Sequence, residues 1–448
     1  MKTQPKEREL SGVDSLFLRI EDDNHLMTIA SCWVFDGQLS YEKVYSSLEK
    51  MIDQFPQLAQ RVEKISKISG KCKWANYDEF HIDQHIKENY LPNTDNEEES
   101  GKILKKFLSQ KISEKLDAEK ALWFCDVIHY GNDQSAIFFR VHHCVTDGQG
   151  AVRTFLSLAT NSPSNELQYA QKPKKPQKNN SIFYSIYEVF LQFFVFFWGF
   201  ILVNWHFFKI LFFFKKNHFR GEIGKNKVID YVENISLNEI KMIKDHYKVT
   251  VNDVMISALT GAIRDSIIKS EGELKDRELL GCIPVSMRKE NDWDLGNKVS
   301  SAWIWLPLYI EDPVERLNEI HKRMNKLKSS GEPVAGYFLL KNLGNSILSN
   351  LSFSNHLSKM LLNKPHAIFT NVPGPRDYLY FADRKVKYYI PVIPQPGAGG
   401  IGIALLSYAE HVTCSILSDE YLFHKQANLP IPVAFRAQIG DLLTSCTK

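Results

Sequence analysis

The chain of 448 residues is long enough for two domains of ordinary size, and its 44% hydrophobic and 24% charged content is typical of a globular protein. Its formal net charge of +3, without basic patches interleaved with aromatic residues, argues against a nucleic-acid-binding role. The seven scattered cysteines include no Cys-x-x-Cys pair, which argues against a disulfide framework and a cysteine-based zinc site. We therefore expect the folded parts to face the cytosol, and we expect no signal peptide in the polar first nine residues.

The first third of the chain predicts alternating strands and helices. Thr28–Phe35 is a predicted strand that ends at an Asp36-Gly37 turn, and Ser40 is the predicted cap of a helix with apolar residues at helical spacing. The further predicted elements are a helix at 103–116, strands at 124–129 and 136–141, and a helix that begins at residue 150.

The second half of the chain repeats this alternation. Strands are predicted at 228–232, 279–285, 300–308, 367–370, 402–407 and 411–418, and helices at 236–247, 254–268, 313–329 and from 432. Mixed strands and helices in two comparable halves predict an α/β or α+β architecture with two domains.

A segment of another kind lies between the halves. A polar stretch at 161–180 is a predicted linker, and the apolar segment 182–214 follows it. Within that segment, Val189–Phe208 has twenty residues without Lys, Arg, Asp or Glu, which is the length of a membrane span. Trp198 and Trp205 suit the interfacial depth of a bilayer. A buried helix of a soluble core is the alternative.

The mode of membrane contact follows from the site that the two halves would share. One crossing would place the halves on opposite sides of the bilayer, which is incompatible with a single shared site. Two crossings need about 40 apolar residues, and the segment 182–214 supplies 33. Both flanks are rich in lysine and give no asymmetry that would orient a crossing. The sequence therefore predicts a one-sided anchor, an interfacial or re-entrant helix or hairpin.

The most informative motif follows the predicted strand at 136–141. It consists of two histidines, an aspartate and a glycine: His142, His143, Asp147 and Gly148. A neutral imidazole at a strand end can accept a proton from an alcohol, and a carboxylate one turn later can hold the local backbone. The other interpretations are a metal site, a pair of structural histidines, and a nucleophilic Cys144. Adjacent strand residues point to opposite faces, which disfavours one ion shared by both histidines, and free cysteine is commonly a small buried hydrophobe.

Further short motifs accompany this one along the chain. They are Leu10–Leu18, Ala121–Trp123, Val251–Val254, Pro284–Arg288 followed by Gly296-Asn297, and Thr370–Pro375. Together with HHxxxDG at 142–148, their order and spacing resemble the wax ester synthase/diacylglycerol acyltransferase family of the chloramphenicol acetyltransferase-like superfamily. The chain departs from the family pattern at Gly12 and Ala121, where proline is common.

The resemblance implies an α/β (α+β mixed-sheet) fold of two similar lobes with an active-site tunnel between them, plus a membrane-associated helical segment. The expected N-terminal lobe is 1–160, the linker with its apolar segment is 161–227, and the C-terminal lobe is 228–448.

The resemblance also implies roles for single residues. His143 is the expected general base, with His142 beside it and Asp147 as a structural partner paired with an arginine such as Arg288. Asn252 is expected to donate a hydrogen bond to the developing oxyanion, or alternatively to cap the helix that follows it. Substrate contacts are expected at Gly148, Asn371, Pro373, Gly374 and Arg288. At Gly148 the backbone is expected to pass close to substrate or to take a positive φ, and Pro373-Gly374 is expected to shape the tunnel.

The implied reaction transfers a long-chain acyl group from acyl-CoA to a lipid alcohol, giving a wax ester or a triacylglycerol. The alternatives are another hydroxyl or amine acceptor, a non-catalytic lipid-surface protein with the same fold, and a metal-dependent lipid hydrolase. No cofactor or metal is expected, because acyl-CoA is a co-substrate and the glycine-rich stretch 397–402 precedes a strand instead of opening a helix. The expected partners are acyl-CoA, a long-chain alcohol or diacylglycerol, and a membrane or lipid-droplet surface on the cytosolic side, at the endoplasmic reticulum in a eukaryote.

Overall fold

The computed structural model of the chain describes residues 6–65, 71–159, 193–194, 197–202, 204–205, 208, 223–275, 277–289, 292–343, 359–360, 363–397, 400–425 and 430–446. Its strands are β1 Arg8–Glu9, β2 Thr28–Asp36, β3 Gln60–Lys64, β4 Cys72–Asn76, β5 Ile86–Tyr90, β6 Trp123–Tyr130, β7 Gln134–His142, β8 Lys227–Ser236, β9 Glu278–Ser286, β10 Val299–Pro307, β11 Ala367–Pro373, β12 Tyr380–Phe381, β13 Arg384–Val392, β14 Ile401–Tyr408 and β15 His411–Asp419.

Its helices include α1 Gly12–Ile20, α2 Tyr41–Gln54, α3 Glu97–Ile112, α4 Gly148–Leu156, α5 Leu237–Tyr247, α6 Val251–Glu271, α7 Pro313–Ser329, α8 Glu332–Leu343, α9 Glu420–Lys425 and α10 Ile431–Ser445. Two short 3-10 helices cover Pro56–Ala59 and Ile82–Gln84. Mixed strands and helices in two lobes confirm the predicted fold class.

The first lobe is built on a six-stranded sheet with the order β12-β13-β2-β7-β6-β5. Its core is aromatic: Trp33 of β2 and Phe139 of β7 both contact Phe155 of α4, at ring-centroid distances of 5.4 and 4.2 Å. Helix α4 is therefore anchored on the sheet by its apolar side, and its N-terminus lies at the end of β7. A three-stranded sheet, β1-β4-β3, adjoins this lobe.

The second lobe is built on a six-stranded sheet with the order β10-β9-β11-β14-β15-β8. Helix α6 is buried along most of its length and packs with α7 and α10 against this sheet. A capping box at its start, in which Thr250 accepts from the Asp253 N–H and Asp253 accepts from the Thr250 N–H, fixes where the helix begins. The helix therefore begins at Val251, three residues before the predicted start at Val254.

The two lobes share a third core between the sheets. Leu104 and Leu108 of α3 lie there with Ile229 and Tyr231 of β8, all of them buried. Lys105 of α3 pairs with the Asp230 carboxylate of β8 at 2.6 Å. These contacts fix the spacing of the lobes along α3 and β8.

Strand β13 was not predicted and changes the division into lobes. It belongs by sequence to the expected C-terminal lobe 228–448, yet it pairs antiparallel with β2 of the first lobe, with Tyr389 opposite Trp33. The proline-rich sequence that starts at Pro391 is typical of a loop. The segment is a strand because it pairs with β2, which is remote in sequence. The boundary at 228 therefore does not separate the two sheets.

The predicted linker 161–180 and most of the apolar segment 182–214 lie outside the described residues. The described pieces of that segment, at 193–194, 197–202, 204–205 and 208, are helical. Among the helices of the described ranges, none combines the length and the apolar character needed to cross a membrane.

Candidate active site

His143 follows the last residue of β7. That strand pairs with β2 as far as His142 opposite Thr28, and the His143 N–H still donates to the Met27 carbonyl at 2.6 Å. One face of its imidazole is stacked on Phe17 of α1, with ring centroids 3.8 Å apart and an interplanar angle of 13°. The ring is thus held by the sheet through its backbone and by α1 through its face.

The tautomer of His143 follows from its neighbour Asn297. The ring Nδ1 lies 2.9 Å from the Asn297 side-chain oxygen, which can only accept. Nδ1 therefore carries the hydrogen, and Nε2 carries the lone pair. Burial lowers the pKa of His143 to about 4, against smaller opposing effects of its own backbone, Asp147 and Asn297. The imidazole is consequently neutral near pH 7 and can accept a proton at Nε2.

His142 makes a different set of contacts and is fully buried. Its Nδ1 accepts from the Cys144 N–H at 3.0 Å, and its Nε2 lies 3.4 Å from the Glu21 carboxylate. Its ring therefore supports the turn after β7. In the described part of the chain no group of His, Cys, Asp and Glu side chains is arranged to hold a metal ion. Cys144 is buried, and burial raises the pKa of its thiol well above the ordinary value, which is opposite to what a nucleophilic cysteine needs.

Asp147 joins the two lobes. Its carboxylate caps α4 by accepting from the Gly150 N–H at 2.8 Å, and it also accepts from the Lys298 N–H at 2.9 Å. The Arg288 Nε lies 2.9 Å from both carboxylate oxygens, which is the pairing that the sequence predicts. Arg288 has no exposed side-chain surface, and its other nitrogens donate to the carbonyls of Asp294 and Gly296. The expectation that Arg288 contacts substrate therefore does not hold in this structure, where it supports Asp147.

Gly148 begins α4 and does not have a positive φ, so that part of the expectation is wrong. A Cβ added at Gly148 would meet nothing within 4 Å, whereas one added at Gly150 would lie 2.0 Å from the Thr146 Oγ1. Gly150 is thus required by packing. Gly148 instead borders open space beside the motif, and its expected closeness to substrate stays a prediction.

Asn252 and Asn371 meet although 119 residues separate them in sequence. The Asn371 Nδ2 donates to the Asn252 side-chain oxygen at 3.4 Å, and both residues are half-buried. Asn252 is the second residue of α6, whose cap is Thr250, so the alternative of Asn252 as helix cap is wrong. Because its oxygen accepts from Asn371, its Nδ2 points elsewhere and is available as a donor.

The Pro373-Gly374 turn has a packing explanation. The Gly374 N–H donates to the Ser407 carbonyl at 2.9 Å, and a Cβ at Gly374 would lie 2.2 Å from that oxygen. Only glycine permits this approach of two backbones, and Pro373 beside it is exposed. The turn shapes the end of β11, the strand that carries Asn371.

Sequence reasoning missed four supporting residues: Asp14, Phe17, Glu21 and Asn297. Asp14 lies in the motif Leu10–Leu18 and Asn297 in the motif Gly296-Asn297. No sequence pattern indicates that these two residues, 283 positions apart, are in contact. The sequence does indicate the capping box that Ser11 and Asp14 form at the start of α1. That signal would have identified Asp14 as a helix-start residue, without indicating its contact with Asn297.

Comparison with known proteins places this geometry in a family. Residues 10–187 match the model of the wax ester synthase/diacylglycerol acyltransferase catalytic domain, and residues 295–430 match the model of the WS/DGAT C-terminal domain. A Mycobacterium tuberculosis protein (strain CDC 1551 / Oshkosh) that carries the name diacylglycerol O-acyltransferase is 23% identical over 442 residues, covering 91% of this chain and 85% of its own. A second Mycobacterium tuberculosis protein of that name, from strain H37Rv, is 24% identical over 429 residues, which cover 92% of this chain and 90% of the relative.

Solved structures agree on the fold. The wax ester synthase/diacylglycerol acyltransferase from Marinobacter aquaeolei VT8 superposes with a TM-score of 0.65 at 19% identity, covering 98% of this chain and 100% of that one. The first condensation domain of the calcium-dependent antibiotic synthetase superposes with a TM-score of 0.63 at 11% identity, covering 100% of this chain and 97% of that one. The fold is thus that of two-lobed acyltransferases and condensation domains. The chain belongs to the wax ester synthase/diacylglycerol acyltransferase family, whose members are O-acyltransferases.

The Asp147–Arg288 pair yields a stability prediction. Asp147→Ala removes the nearest carboxylate from the buried Arg288 guanidinium, which keeps only Asp292 at 3.7 Å. The free energy of unfolding should fall by about 3 kcal/mol, measured by thermal or denaturant unfolding, with activity falling in step. Glu98→Ala is the matched control, because its pair with Lys102 is exposed and its loss should leave the melting temperature nearly unchanged. An Asp147→Ala variant of normal stability and no activity would instead mean that the carboxylate takes part in the reaction.

The two glycines of α4 yield a second prediction. Gly148→Ala should leave the melting temperature unchanged because its Cβ enters open space, and it should reduce turnover if substrate passes there. Gly150→Ala should destabilise the protein through its clash with Thr146 and Arg288. A Gly148→Ala enzyme with unaltered kcat/KM would remove Gly148 from the list of substrate contacts.

Proposed function

We propose that this protein transfers a long-chain acyl group from acyl-CoA to the hydroxyl of a lipid alcohol, with the Nε2 of His143 as general base. The observation that carries the proposal is a neutral imidazole whose Nδ1 is engaged and whose Nε2 is left as the acceptor, at the junction of the two lobes. Family membership supports the reaction class, and the named relatives support the choice of substrates.

The proton path of the proposed reaction uses one group twice. As the alcohol oxygen attacks the thioester carbonyl, Nε2 takes the hydroxyl proton and a tetrahedral oxyanion forms. When the C–S bond breaks, the imidazolium returns that proton to the leaving thiolate, so the ester and free CoA are produced and His143 is neutral again. The low pKa of His143 favours this second transfer, because its conjugate acid gives up the proton readily.

Asn252 is the proposed donor to the oxyanion. Its Nδ2 remains available after its oxygen has accepted from Asn371, so the pair presents a donor of fixed direction. A donor of this kind contributes about 3 kcal/mol to a transition state that carries an oxyanion. Asn371 acts in the proposal by orienting Asn252.

The acceptor is proposed to be a long-chain alcohol or diacylglycerol at a membrane or lipid-droplet surface on the cytosolic side, at the endoplasmic reticulum in a eukaryotic cell. The described helical residues of the apolar segment carry exposed large side chains: Phe193, Phe194, Phe197, Trp198, Phe200, Ile201, Trp205 and Phe208. Gly199 lies against the backbone of Gly331, where an added Cβ would be 2.5 Å from the Gly331 carbonyl carbon. Aromatic surface that is docked on the protein on one side and exposed on the other suits burial at the lipid headgroup boundary.

The base assignment yields the central test of this function. Purified membranes that bear the protein are incubated with labelled palmitoyl-CoA and either hexadecanol or diacylglycerol, with and without chelator. The wild type should form ester regardless of chelator, and His143→Ala should be slower by a factor of about 10²–10⁴. His246→Ala, at an exposed position of α5, is the control and should be fully active.

Two outcomes would overturn the assignment. Chelator-sensitive turnover would indicate a metallohydrolase, and an absence of turnover with every acceptor would indicate a binding protein. His142→Ala should retain more activity than His143→Ala; the reverse order would move the base to His142.

The anchor yields a separate prediction. Trp198→Glu with Trp205→Glu places charge where lipid is proposed, so the variant should be released from vesicles and lose activity on vesicle-borne diacylglycerol but keep activity on a short soluble alcohol. Met242→Glu, a charge introduced at another exposed apolar residue, should change neither property.

Cysteine labels placed at positions 175 and 225 should both be reached from one side of sealed vesicles, and protection of one flank alone would mean a true crossing.

A further inference from the structure

Asn297 joins the catalytic histidine to a buried carboxylate on α1. Its Nδ2 donates to the Asp14 carboxylate at 2.7 Å and to the His143 carbonyl at 2.5 Å, and its backbone N–H donates to the same carboxylate oxygen of Asp14 at 3.0 Å. Its oxygen is then the atom left for the His143 Nδ1, at 2.9 Å. All four contacts lie at the junction of the lobes, and Asp14 and Asn297 are each 5% exposed.

The Asn297 amide has only one workable orientation. A flipped amide would place its oxygen against the Asp14 carboxylate and against the His143 carbonyl, so that acceptors would face acceptors on both sides. It would also place its NH₂ group against Nδ1 and favour the tautomer with the hydrogen on Nε2. Asp14 thus fixes the amide, and the amide fixes the ring.

We propose that Asp14 and Asn297 are positioning residues of this enzyme, which keep the hydrogen of His143 on Nδ1 and the lone pair on Nε2. The proposal rests on the proposed function, in which Nε2 is the base. Neither residue touches the reacting atoms in this scheme. Asp14 acts through Asn297, and Asn297 acts through the imidazole.

The neutral amide between carboxylate and ring has a chemical consequence. A carboxylate placed directly on Nδ1 would stabilise the imidazolium and raise the pKa of the histidine. Here the carboxylate is one residue removed, so it orients the ring without strongly stabilising the imidazolium. The base stays unprotonated in its buried position and, once protonated, releases its proton to the thiolate.

Helix α1 supplies two of these constraints from one face. Phe17, three residues after Asp14, stacks on the His143 ring that the Asp14–Asn297 pair orients. The Ser11 N–H also donates to Asp14, at 3.3 Å, in the capping box that starts the helix. A matched control follows, because the Ser11 hydroxyl belongs to the box but not to the chain of contacts that reaches His143.

The first experiment reads the tautomer directly. Protein labelled with ¹⁵N-histidine should show His143, identified by its loss in His143→Ala, with hydrogen on Nδ1 in the wild type and in Ser11→Ala. Asp14→Ala and Asn297→Ala should shift the His143 resonances toward a mixture of tautomers. Ser11→Ala should lose stability as Asp14→Ala does, because both variants break the capping box of α1. A change of tautomer in Asp14→Ala that is not seen in Ser11→Ala would therefore come from lost positioning of the ring and not from lost stability. An Asp14→Ala protein with hydrogen still on Nδ1 would overturn the proposal, whether or not the enzyme turns over.

The second experiment reads turnover. Asp14→Ala and Asn297→Ala should each lower kcat roughly 100-fold with little change in KM, and the double variant should be no worse than either single one. Asp14→Asn should retain most activity, since its oxygen can still accept from Asn297. Asp245→Asn, an exposed change on α5, should be neutral. Additive losses, or an Asp14→Ala variant with the wild-type kcat, would count against the proposal.

The third experiment moves the carboxylate to the ring. In Asp14→Asn combined with Asn297→Asp, a carboxylate accepts from Nδ1 and should raise the pKa of His143. Because the neutral imidazole is the active form, kcat/KM falls as pH drops through that pKa, about 4 in the wild type. The acid limb of the profile should therefore move to higher pH. The other ionisable groups near the ring are unchanged in this variant: His142, Asp147, Arg288, Lys298 and Tyr337. An acid limb that does not move would contradict the proposed arrangement.

Discussion

The buried ion pair between Asp147 and Arg288 is the interaction on which the site depends. Its carboxylate belongs to the HHxxxDG motif of the first lobe and its guanidinium follows β9 of the second, so the pair crosses from one lobe to the other. The same contact caps α4 and holds the backbone of Lys298, the residue after Asn297. A contact between two almost fully buried charges favours one relative position of the lobes, because a shift would leave each buried charge without its nearest partner.

With the lobes held, the site is assembled from segments that are remote in sequence. The loop after β7 supplies His143, α1 supplies the ring that stacks on it, and the stretch before β10 supplies the amide that orients it. On the second lobe, α6 and β11 bring two asparagine amides together. The proposed base therefore comes from one lobe, while the amide that orients it and the proposed oxyanion donor come from the other. The proposed reaction thus requires the two lobes to keep this relative position.

Sequence reasoning predicted the parts of this site that are local or chemically complementary. The HHxxxDG turn follows from an apolar strand that ends in polar residues, and the Asp147–Arg288 pair was implied by the family resemblance. The Asn252 cap was a wrong alternative, because Thr250 lies two residues earlier and forms a complete capping box with Asp253. The Asp14–Asn297 contact and the place of β13 could not be predicted, because both depend on long-range pairing that no local pattern encodes.

The position of β13 also bears on how the protein is made. The first sheet keeps an open edge at β2 until residues 384–392 have left the ribosome, which requires nearly nine-tenths of the chain. An unpaired apolar strand edge is a site for wrong pairing and aggregation. We therefore expect the first sheet to be completed only late in synthesis, when β13 covers the edge of β2. A fragment that ends at the sequence boundary between the lobes would lack the strand that closes its sheet.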